Sequence, residues 1–294
     1  MGETAFARQT SVRADPEHPG RYHAVFSGEW NAPFVPQGGV AAAVALRAMA
    51  AELGPGEQRL RSVTTVFAGE VQAGPAEIDV TVLRRGRTMS QVTATLRTVG
   101  REAGHTSVAV FGSERAGFEF TDLHPPVVDP PERCPSFRDP LPEGVERQNF
   151  MTFWEQVEGR PALGHAPWDV YEPTTSERAY WYRFDEVPWV DGGVLDPLAL
   201  VTLCDTMPGA VGERMGPGSP PWVPPSADLT VHILGDAESE WILAHNRARH
   251  AGDGYASVDM ALWDPARGLV AYGTQMMFFV FPEGPPTPEQ RRAP

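Results

Sequence analysis

The pattern of apolar and polar positions occurs twice along the chain. A short strand pattern at 21–26 precedes an alanine-rich apolar run at 38–53, which predicts a helix. Segments of alternating apolar and polar residues then predict four strands between 60 and 111. The same order of a strand, an apolar helix and four strands returns between 179 and 281. Two units of about 110 residues with one element order indicate an internal duplication. Each helix then packs on an antiparallel sheet, which is an α+β arrangement.

Composition divides the chain further. The stretch between the two units is dense in proline and poor in apolar pattern, which predicts an extended connection over the surface. Its aromatic residues between 150 and 168 indicate that part of it docks on a unit. We therefore predict an N-terminal unit at 1–113, a proline-rich connection at 114–178, a C-terminal unit at 179–284, and a tail of disordered type at 285–294.

The second apolar run, Leu195 to Val211, holds a carboxylate near its end. Asp196 and Pro197 suit the start of a helix, and Pro208 predicts that the helix kinks or stops. Asp205 then faces the negative end of the helix dipole, and its burial is costly unless hydrogen bonds satisfy it. Asp205 is therefore either an exposed residue on a turn or a residue kept for its chemistry.

Two later strands contain further candidate side chains. Alternation places Ser226 on one face of its strand together with Asp228, Thr230 and His232, and a solvated polar face is the simple alternative. Gln275 is the one strongly polar side chain between residues 270 and 281. A lone amide in such a run is expected to be buried and to need hydrogen-bond partners, unless the strand lies at an edge.

Charge and composition exclude several classes of function. The 294-residue chain has a net charge of −14, and its cationic side chains are all arginine. Such acidity argues against nucleic acids and anionic membranes as partners. Cys134 and Cys204 fit neither a metal nor a redox spacing. The N-terminus lacks an apolar signal core, and the longest apolar run, 40–51, is too short to span a membrane. We expect a cytoplasmic protein without membrane insertion.

Three motifs resemble those of the TesB-like acyl-CoA thioesterases (the thioesterase II family). They are the helix with an aspartate near its end, S-A-D at 226–228 and G-T-Q at 273–275. Supporting segments are GGVAAAVAL, LRRGRTMSQV and WDPARGLVAYGTQ. The resemblance runs from about Arg21 to Phe281 and implies a double hotdog fold, in which each unit has a long helix wrapped by an antiparallel sheet. The chain departs from the family at two places. Leu229 stands where the family often has a histidine, and Gln275-Met276-Met277 stand where it often has Gln-Glu-Gly.

The resemblance implies a site and a substrate. In the family an Asp, a Ser or Thr hydroxyl and a Gln hold the attacking water, and these roles fall on Asp205, Ser226 and Gln275. The substrate implied is an acyl-CoA or acyl-carrier-protein thioester, with coenzyme A as part of the substrate and no separate cofactor or metal. A homo-oligomer is also expected. The matching position of the first helix is about Leu46, so the duplicate site should be inactive.

Physical chemistry adds candidates for carbonyl and phosphate binding. Asp205 alone of the three can accept a proton, and burial should raise its pKa. The amides of Gly39 and Val40 open the first helix and could polarise the thioester carbonyl. Close helix packing is an equal explanation of the glycines. The arginines of one turn could meet the phosphates of coenzyme A, or could simply be solvated. They are Arg84, Arg85 and Arg87.

Three functional classes remain open. The first is an acyl-CoA thioesterase. The second is a hotdog hydratase, dehydratase or cyclase, which would use an acid and a base on the loop before the first helix. That loop offers Asn31 and Gln37, and neither is an acid or base near neutral pH. The third is a non-catalytic acyl-binding protein, which would keep an apolar tunnel without needing Asp205.

Overall fold

The computed structural model describes residues 3–141, 143, 151–190 and 192–291. The parts of the predicted connection at 142 and 144–150, and of the predicted tail at 292–294, lie outside these ranges. The first half of the chain has two helices and six strands within them. They are α1 (Ala5–Gln9), β1 (Arg13–Ala14), β2 (Arg21–Phe26), α2 (Gly38–Leu53), β3 (Arg59–Phe67), β4 (Gly74–Arg85), β5 (Met89–Thr98) and β6 (His105–Gly112).

The second half begins inside the predicted connection. Its described elements are α3 (Phe153–Gln156), β7 (Val157–Leu163), β8 (Glu177–Phe184), β9 (Trp189–Val190), β10 (Val194–Leu195), α4 (Pro197–Cys204), α5 (Gly209–Met215), β11 (Ser226–Ile233), β12 (Ile242–Gly252), β13 (Tyr255–Asp264) and β14 (Gly268–Phe278). The proline-rich composition did not predict α3 or β7. β7 pairs with β8 at one end of the sheet, so part of the connection docks there as a strand.

The topology confirms the duplication and the α+β class. Across the described residues, twelve strands form one antiparallel sheet in the order β1-β2-β4-β5-β6-β3-β11-β14-β13-β12-β8-β7. The first unit contributes β2-β4-β5-β6-β3, and the second contributes β8-β12-β13-β14-β11 in the same internal order. The equivalent strands β3 and β11 therefore meet at the centre, where they pair antiparallel. The two units are joined by a continuous hydrogen-bonded ladder.

The two central helices pack on this sheet and against each other. α2 contacts β4, β5 and β6, whereas α4 contacts β11, β13 and β14. Both helices are buried on most sides, and the alanines of α2 allow a close approach to its neighbours. None of the helices in the described ranges is long and apolar enough to cross a membrane.

The second apolar run is two helices rather than one. Asp196 caps α4 by accepting a hydrogen bond from the Leu198 amide, and Pro197 is the first helical residue, as predicted. The chain then leaves the helix in a turn at 205–208, and α5 begins directly after Pro208. The predicted interruption is confirmed, because a proline cannot continue the hydrogen-bond ladder. Asp205 is consequently the C-cap of α4.

Candidate active site

Asp205, Ser226 and Gln275 lie in direct contact although they come from three separate elements. The Gln275 amide donates a hydrogen bond of 2.5 Å to Asp205 Oδ1 and one of 2.8 Å to Ser226 Oγ. Ser226 Oγ in turn donates to Asp205 Oδ1 at 3.3 Å. The end of α4, the start of β11 and the middle of β14 thus bring together the three side chains selected from the sequence.

A β-bulge turns Ser226 toward Asp205. The register of β11 against β14 shifts between Ser226 and Asp228, so the alternation of side chains is interrupted there. Beyond the bulge, Leu229 is buried while Asp228 lies toward the outer face, where it accepts from the Met276 amide. The prediction that Ser226 shares a face with Asp228, Thr230 and His232 is therefore wrong. One extra residue in the strand is enough to separate them.

Gln275 lies behind the other two side chains. β14 is flanked by β11 and β13, and Gln275 is only 1% exposed, so the prediction of a buried amide is confirmed and the edge-strand alternative is wrong. Asp205 and Ser226 line a large cavity, which is described below, whereas Gln275 does not. Its Nε2 donates hydrogen bonds to both neighbours, while its Oε1 has no hydrogen-bond partner among the described residues. Gln275 is placed to fix the positions of Asp205 and Ser226.

The N-terminus of α2 contacts the other oxygen of Asp205. The Gly39 amide donates to Asp205 Oδ2 at 2.9 Å. A Cβ atom on Gly39 would lie 2.8 Å from Thr202 Cα and 3.0 Å from Asp205 Cβ, so only glycine allows the two helices this close. The positive end of the α2 dipole thereby offsets the negative end of α4, which by itself disfavours a carboxylate.

Both amides considered as carbonyl-polarising groups have protein partners. Gly39 donates to Asp205, and the Val40 amide donates to Gln37 Oε1 at 2.8 Å. Gln37 also donates to the Thr202 carbonyl at 3.0 Å, so its side chain joins the start of α2 to α4. An oxyanion role for Gly39 or Val40 would require one of these hydrogen bonds to break. Close packing of α2 against α4 is what the structure shows for the glycines.

The environment of Asp205 makes it a stronger base than an ordinary aspartate. Burial raises its pKa from 3.8 to about 6, and the hydrogen bonds from Gly39, Gln275 and Ser226 limit the increase. Asp205 is therefore mostly ionised at neutral pH but can accept a proton more readily than an exposed carboxylate. The predicted direction of the shift is confirmed, and its cause is desolvation.

A cavity of about 1370 Å³ opens in front of Asp205. Its wall is rich in aromatic rings, which include Phe67, Phe137, Phe153, Trp154, Trp168 and Tyr180. Two polar residues of the wall, His105 and Arg178, were not selected from the sequence, because each occurs in an ordinary strand pattern. His105 is buried edge-on to Phe67, and burial lowers its pKa to about 4, so its ring is neutral at neutral pH.

The arginine-rich turn lies elsewhere. Arg85 donates to the carbonyls of Leu53 and Glu52, at 2.7 and 3.0 Å, and so caps the C-terminal end of α2. At 1.5 Å per residue, that end is about 24 Å from the α2 N-terminus, where Asp205 is bound. Neither Arg84, Arg85 nor Arg87 lines the cavity. This turn is therefore separate from the cavity, and coenzyme A contacts at its arginines stay a prediction.

Comparisons with known proteins agree with the observed architecture. The model of the acyl-CoA thioesterase N-terminal domain matches residues 26–112, and that of the acyl-CoA thioesterase C-terminal domain matches residues 131–279. A search of curated proteins found no match. The second model begins within the predicted connection, consistent with the docking of β7 on the second unit.

Solved structures share the fold over nearly the whole chain. A conserved protein of unknown function with a hot dog fold from Alicyclobacillus acidocaldarius is 25% identical, with a TM-score of 0.78 over 95% of this chain and 99% of that one. A putative thioesterase from Novosphingobium aromaticivorans is also 25% identical, with a TM-score of 0.72 over 90% and 99%. Acyl-CoA thioesterase II TesB2 from Mycobacterium marinum, 19% identical, has a TM-score of 0.72 over 96% and 100%.

The predicted double hotdog fold is thus confirmed, and of the three functional classes the comparisons support the first. Two family models together match most of the chain, and each matches the half that its description names. The protein is a thioester hydrolase and belongs to the acyl-CoA thioesterase family.

Proposed function

We propose that Asp205 is the general base that activates water for the hydrolysis of acyl-CoA thioesters. The water oxygen bonds to the carbonyl carbon while its proton moves to the Asp205 carboxylate. The carbon–sulfur bond then breaks, and the proton passes to the departing thiolate, which gives a free acid and coenzyme A. The observation that supports this proposal is a carboxylate with a pKa of about 6 that faces a large cavity and is held by three donors.

Ser226 and Gln275 have different parts in this proposal. Ser226 lines the cavity beside Asp205, so its hydroxyl can contact the attacking water directly. Gln275 lies behind both residues and acts as a positioning residue, because its amide fixes Asp205 Oδ1 and Ser226 Oγ at once. Such fixed geometry favours catalysis by holding the water on its line of attack. The step needs no cofactor other than the coenzyme A that belongs to the substrate.

The Gly39 amide can link proton transfer to Asp205 with stabilisation of the thioester oxyanion. This amide donates to Asp205 Oδ2 while the carboxylate is ionised. When Asp205 takes the proton, its oxygens become weaker acceptors, at the stage at which negative charge develops on the thioester oxygen. The Gly39 amide then becomes available to that oxyanion. Val40 stays bound to Gln37 and is not needed for this role.

The test is the release of free thiol from a panel of acyl-CoAs by the wild type and by Asp205→Asn. The substitution removes the proton acceptor and preserves side-chain size, so turnover should fall by about 10²–10⁴. Asp228→Asn is a matched control, because this carboxylate lies two residues from Ser226 on the outer face. The control should retain wild-type turnover. Undiminished turnover by Asp205→Asn would remove Asp205 from the mechanism.

A further inference from the structure

Arg178 lines the same cavity as Asp205 but has no part in the step above. It lies in β8, and its guanidinium is 4.1 Å from the centre of the Tyr180 ring. A Cβ atom on Gly209 would be only 1.8 Å from Arg178 Cζ, so the guanidinium lies flat against the backbone at the start of α5. An aromatic ring and a glycine thus hold the charged group in place from two directions.

No carboxylate in the described part of the chain forms an ion pair with Arg178. The nearby Glu213 is occupied by His165, which donates to it through its backbone amide at 3.1 Å and contacts it through Nδ1 at 2.5 Å. Arg178 Nε is buried without a hydrogen-bond partner, whereas the guanidinium also makes a hydrogen bond to the side chain of Tyr182. Arg138, which also lines the cavity, differs because it pairs with Asp185 at 2.9 Å.

Arg178 nevertheless stays charged. Burial acts to lower its pKa, but Tyr180, Tyr182 and Glu213 more than offset that effect, and the pKa is raised. A largely desolvated charge without an ion-pair partner is costly, and it is usually satisfied by an opposite charge with good hydrogen-bond geometry. A guanidinium suits a planar carboxylate, which it can bind through two parallel hydrogen bonds.

The position of Arg178 favours a carboxylate of the acyl group over a phosphate of coenzyme A as its anionic partner. Its neighbours Tyr180, Tyr182 and Glu213 are all buried and Arg178 is itself partly buried, from which we infer that it lies toward the inner part of the cavity. Exposed residues such as Phe34, 81% exposed, and Val280, 41% exposed, mark the outer part, where hydrated phosphates can lie. The acyl chain is the part of the substrate that enters the apolar, aromatic interior.

The spacing sets the length of the acyl group. Asp205 and Gly209 are four residues apart, which at helical or 3₁₀ rise separates their backbones by about 6–8 Å. The guanidinium lies against Gly209, and the thioester carbonyl must lie beside Asp205. A chain of a few methylene groups can therefore bridge the two sites.

We propose that Arg178 binds a carboxylate at the far end of the acyl group, so that the enzyme prefers thioesters of short and medium dicarboxylic acids. This inference rests on the proposed function, since it takes Asp205 as the position of the thioester. It adds a specificity-determining residue and a substrate class to that function.

The experiment compares substrates that differ only in the second carboxyl group. The pairs are hexanoyl-CoA with adipoyl-CoA and octanoyl-CoA with suberoyl-CoA. The wild type should show a higher kcat/KM for the dicarboxylic member of each pair. Arg178→Met should lower this preference by about 10- to 100-fold, the usual worth of a hydrogen bond to a charged group, and leave the monocarboxylic member unchanged. An equal loss for both members would instead assign Arg178 to coenzyme A and overturn the proposal.

A second variant tests whether a loss of preference in Arg178→Met reflects misfolding. A binding measurement tests recognition of the carboxylate without relying on the catalytic mechanism. Gly209→Ala keeps the charge but displaces the guanidinium, so it should also reduce the preference. Calorimetry with non-hydrolysable thioether analogues of adipoyl-CoA and hexanoyl-CoA tests recognition without turnover. Tighter binding of the adipoyl analogue, lost in Arg178→Met, supports the inference even if Asp205→Asn proves active. Equal binding of the two analogues by the wild type refutes it while leaving the hydrolytic proposal intact.

Discussion

Replacing Asp205 by asparagine should stabilise the folded protein at neutral pH even as it removes activity. Burial raises the pKa of Asp205 from 3.8 to about 6, a change of about two units. Each unit corresponds to about 1.4 kcal/mol, so ionised Asp205 lowers the free energy of unfolding by up to about 3 kcal/mol. Part of the carboxylate faces the cavity, where solvent reduces this cost. An uncharged asparagine avoids it.

The raised pKa of Asp205 determines the pH range over which the stability of the wild type and the variant should diverge. Below pH 4 the aspartate is protonated in both the folded and the unfolded chain, so the variant gains nothing. Between pH 4 and 6 the unfolded chain loses its proton first, and the wild type loses stability relative to the variant as the pH rises. Above pH 6 both states are ionised, and the difference should become constant.

Asparagine can satisfy the partners of Asp205. Its carbonyl oxygen can accept from the Gly39 amide as the carboxylate does. Its amide needs an acceptor, and Gln275 Oε1 has no partner among the described residues. Rotation of the Gln275 amide would present that oxygen to the new donor and would place Nε2 where Oε1 now has no partner, so one polar atom of Gln275 is unpaired in both proteins.

Chemical denaturation of the wild type and Asp205→Asn at intervals from pH 3.5 to 8 measures the difference in unfolding free energy. Asp228→Asn, on the outer face, controls for the general loss of one negative charge. The reasoning is refuted if the difference does not change between pH 4 and 6, or if the wild type is the more stable protein at pH 7.

Three further predictions use the same site. The kcat/KM of the wild type should rise with pH up to about 6 and then level off, because ionised Asp205 is the active form; a flat profile would contradict this. Gly39→Ala should force α2 from Thr202, at a cost of about 1–3 kcal/mol in unfolding free energy and about 10²-fold in turnover; wild-type values would contradict the packing argument. Arg85→Ala should leave the KM for acyl-CoA unchanged, because Arg85 caps α2 away from the cavity. A large increase in KM would instead indicate that coenzyme A binds at the turn that contains Arg85.

Local physical chemistry was sufficient to predict much of the architecture. The bounds of α2 follow from its glycine start and its mostly apolar run. The break after α4 follows from Pro208, which lacks an amide donor and clashes with the carbonyl of Cys204 in a continuous helix. The buried state of Gln275 follows from the apolar residues on either side of it. In each case the residues that decide the outcome are adjacent in the sequence.

The features that the sequence did not predict depend on distant contacts. The face of Ser226 depends on a bulge that appears only when β11 pairs with β14. Likewise, the partner of the Gly39 amide is a carboxylate 166 residues away. The arginine turn could not be placed from composition, because its position follows from a hairpin that ends over the C-terminus of α2. Such features depend on which strands and helices pair in the folded chain, and the alternation of residues along one strand does not predict that pairing.

The duplication explains why only one end of the helix pair forms the proposed site. Asp205 is the ninth residue counted from the start of α4, and the ninth residue of α2 is Leu46, which is 1% exposed. Beside it, Arg47 donates to Asp196 Oδ2 at 2.5 Å, so the second contact between the helices is an ion pair. Asp196 also caps α4, which commits its carboxylate to structure. The proposed arrangement uses the Gly39 amide of one unit and the Asp205 carboxylate of the other. Neither unit therefore contains all the groups of the proposed site, and the opposite end of the helix pair is held by the Arg47–Asp196 ion pair.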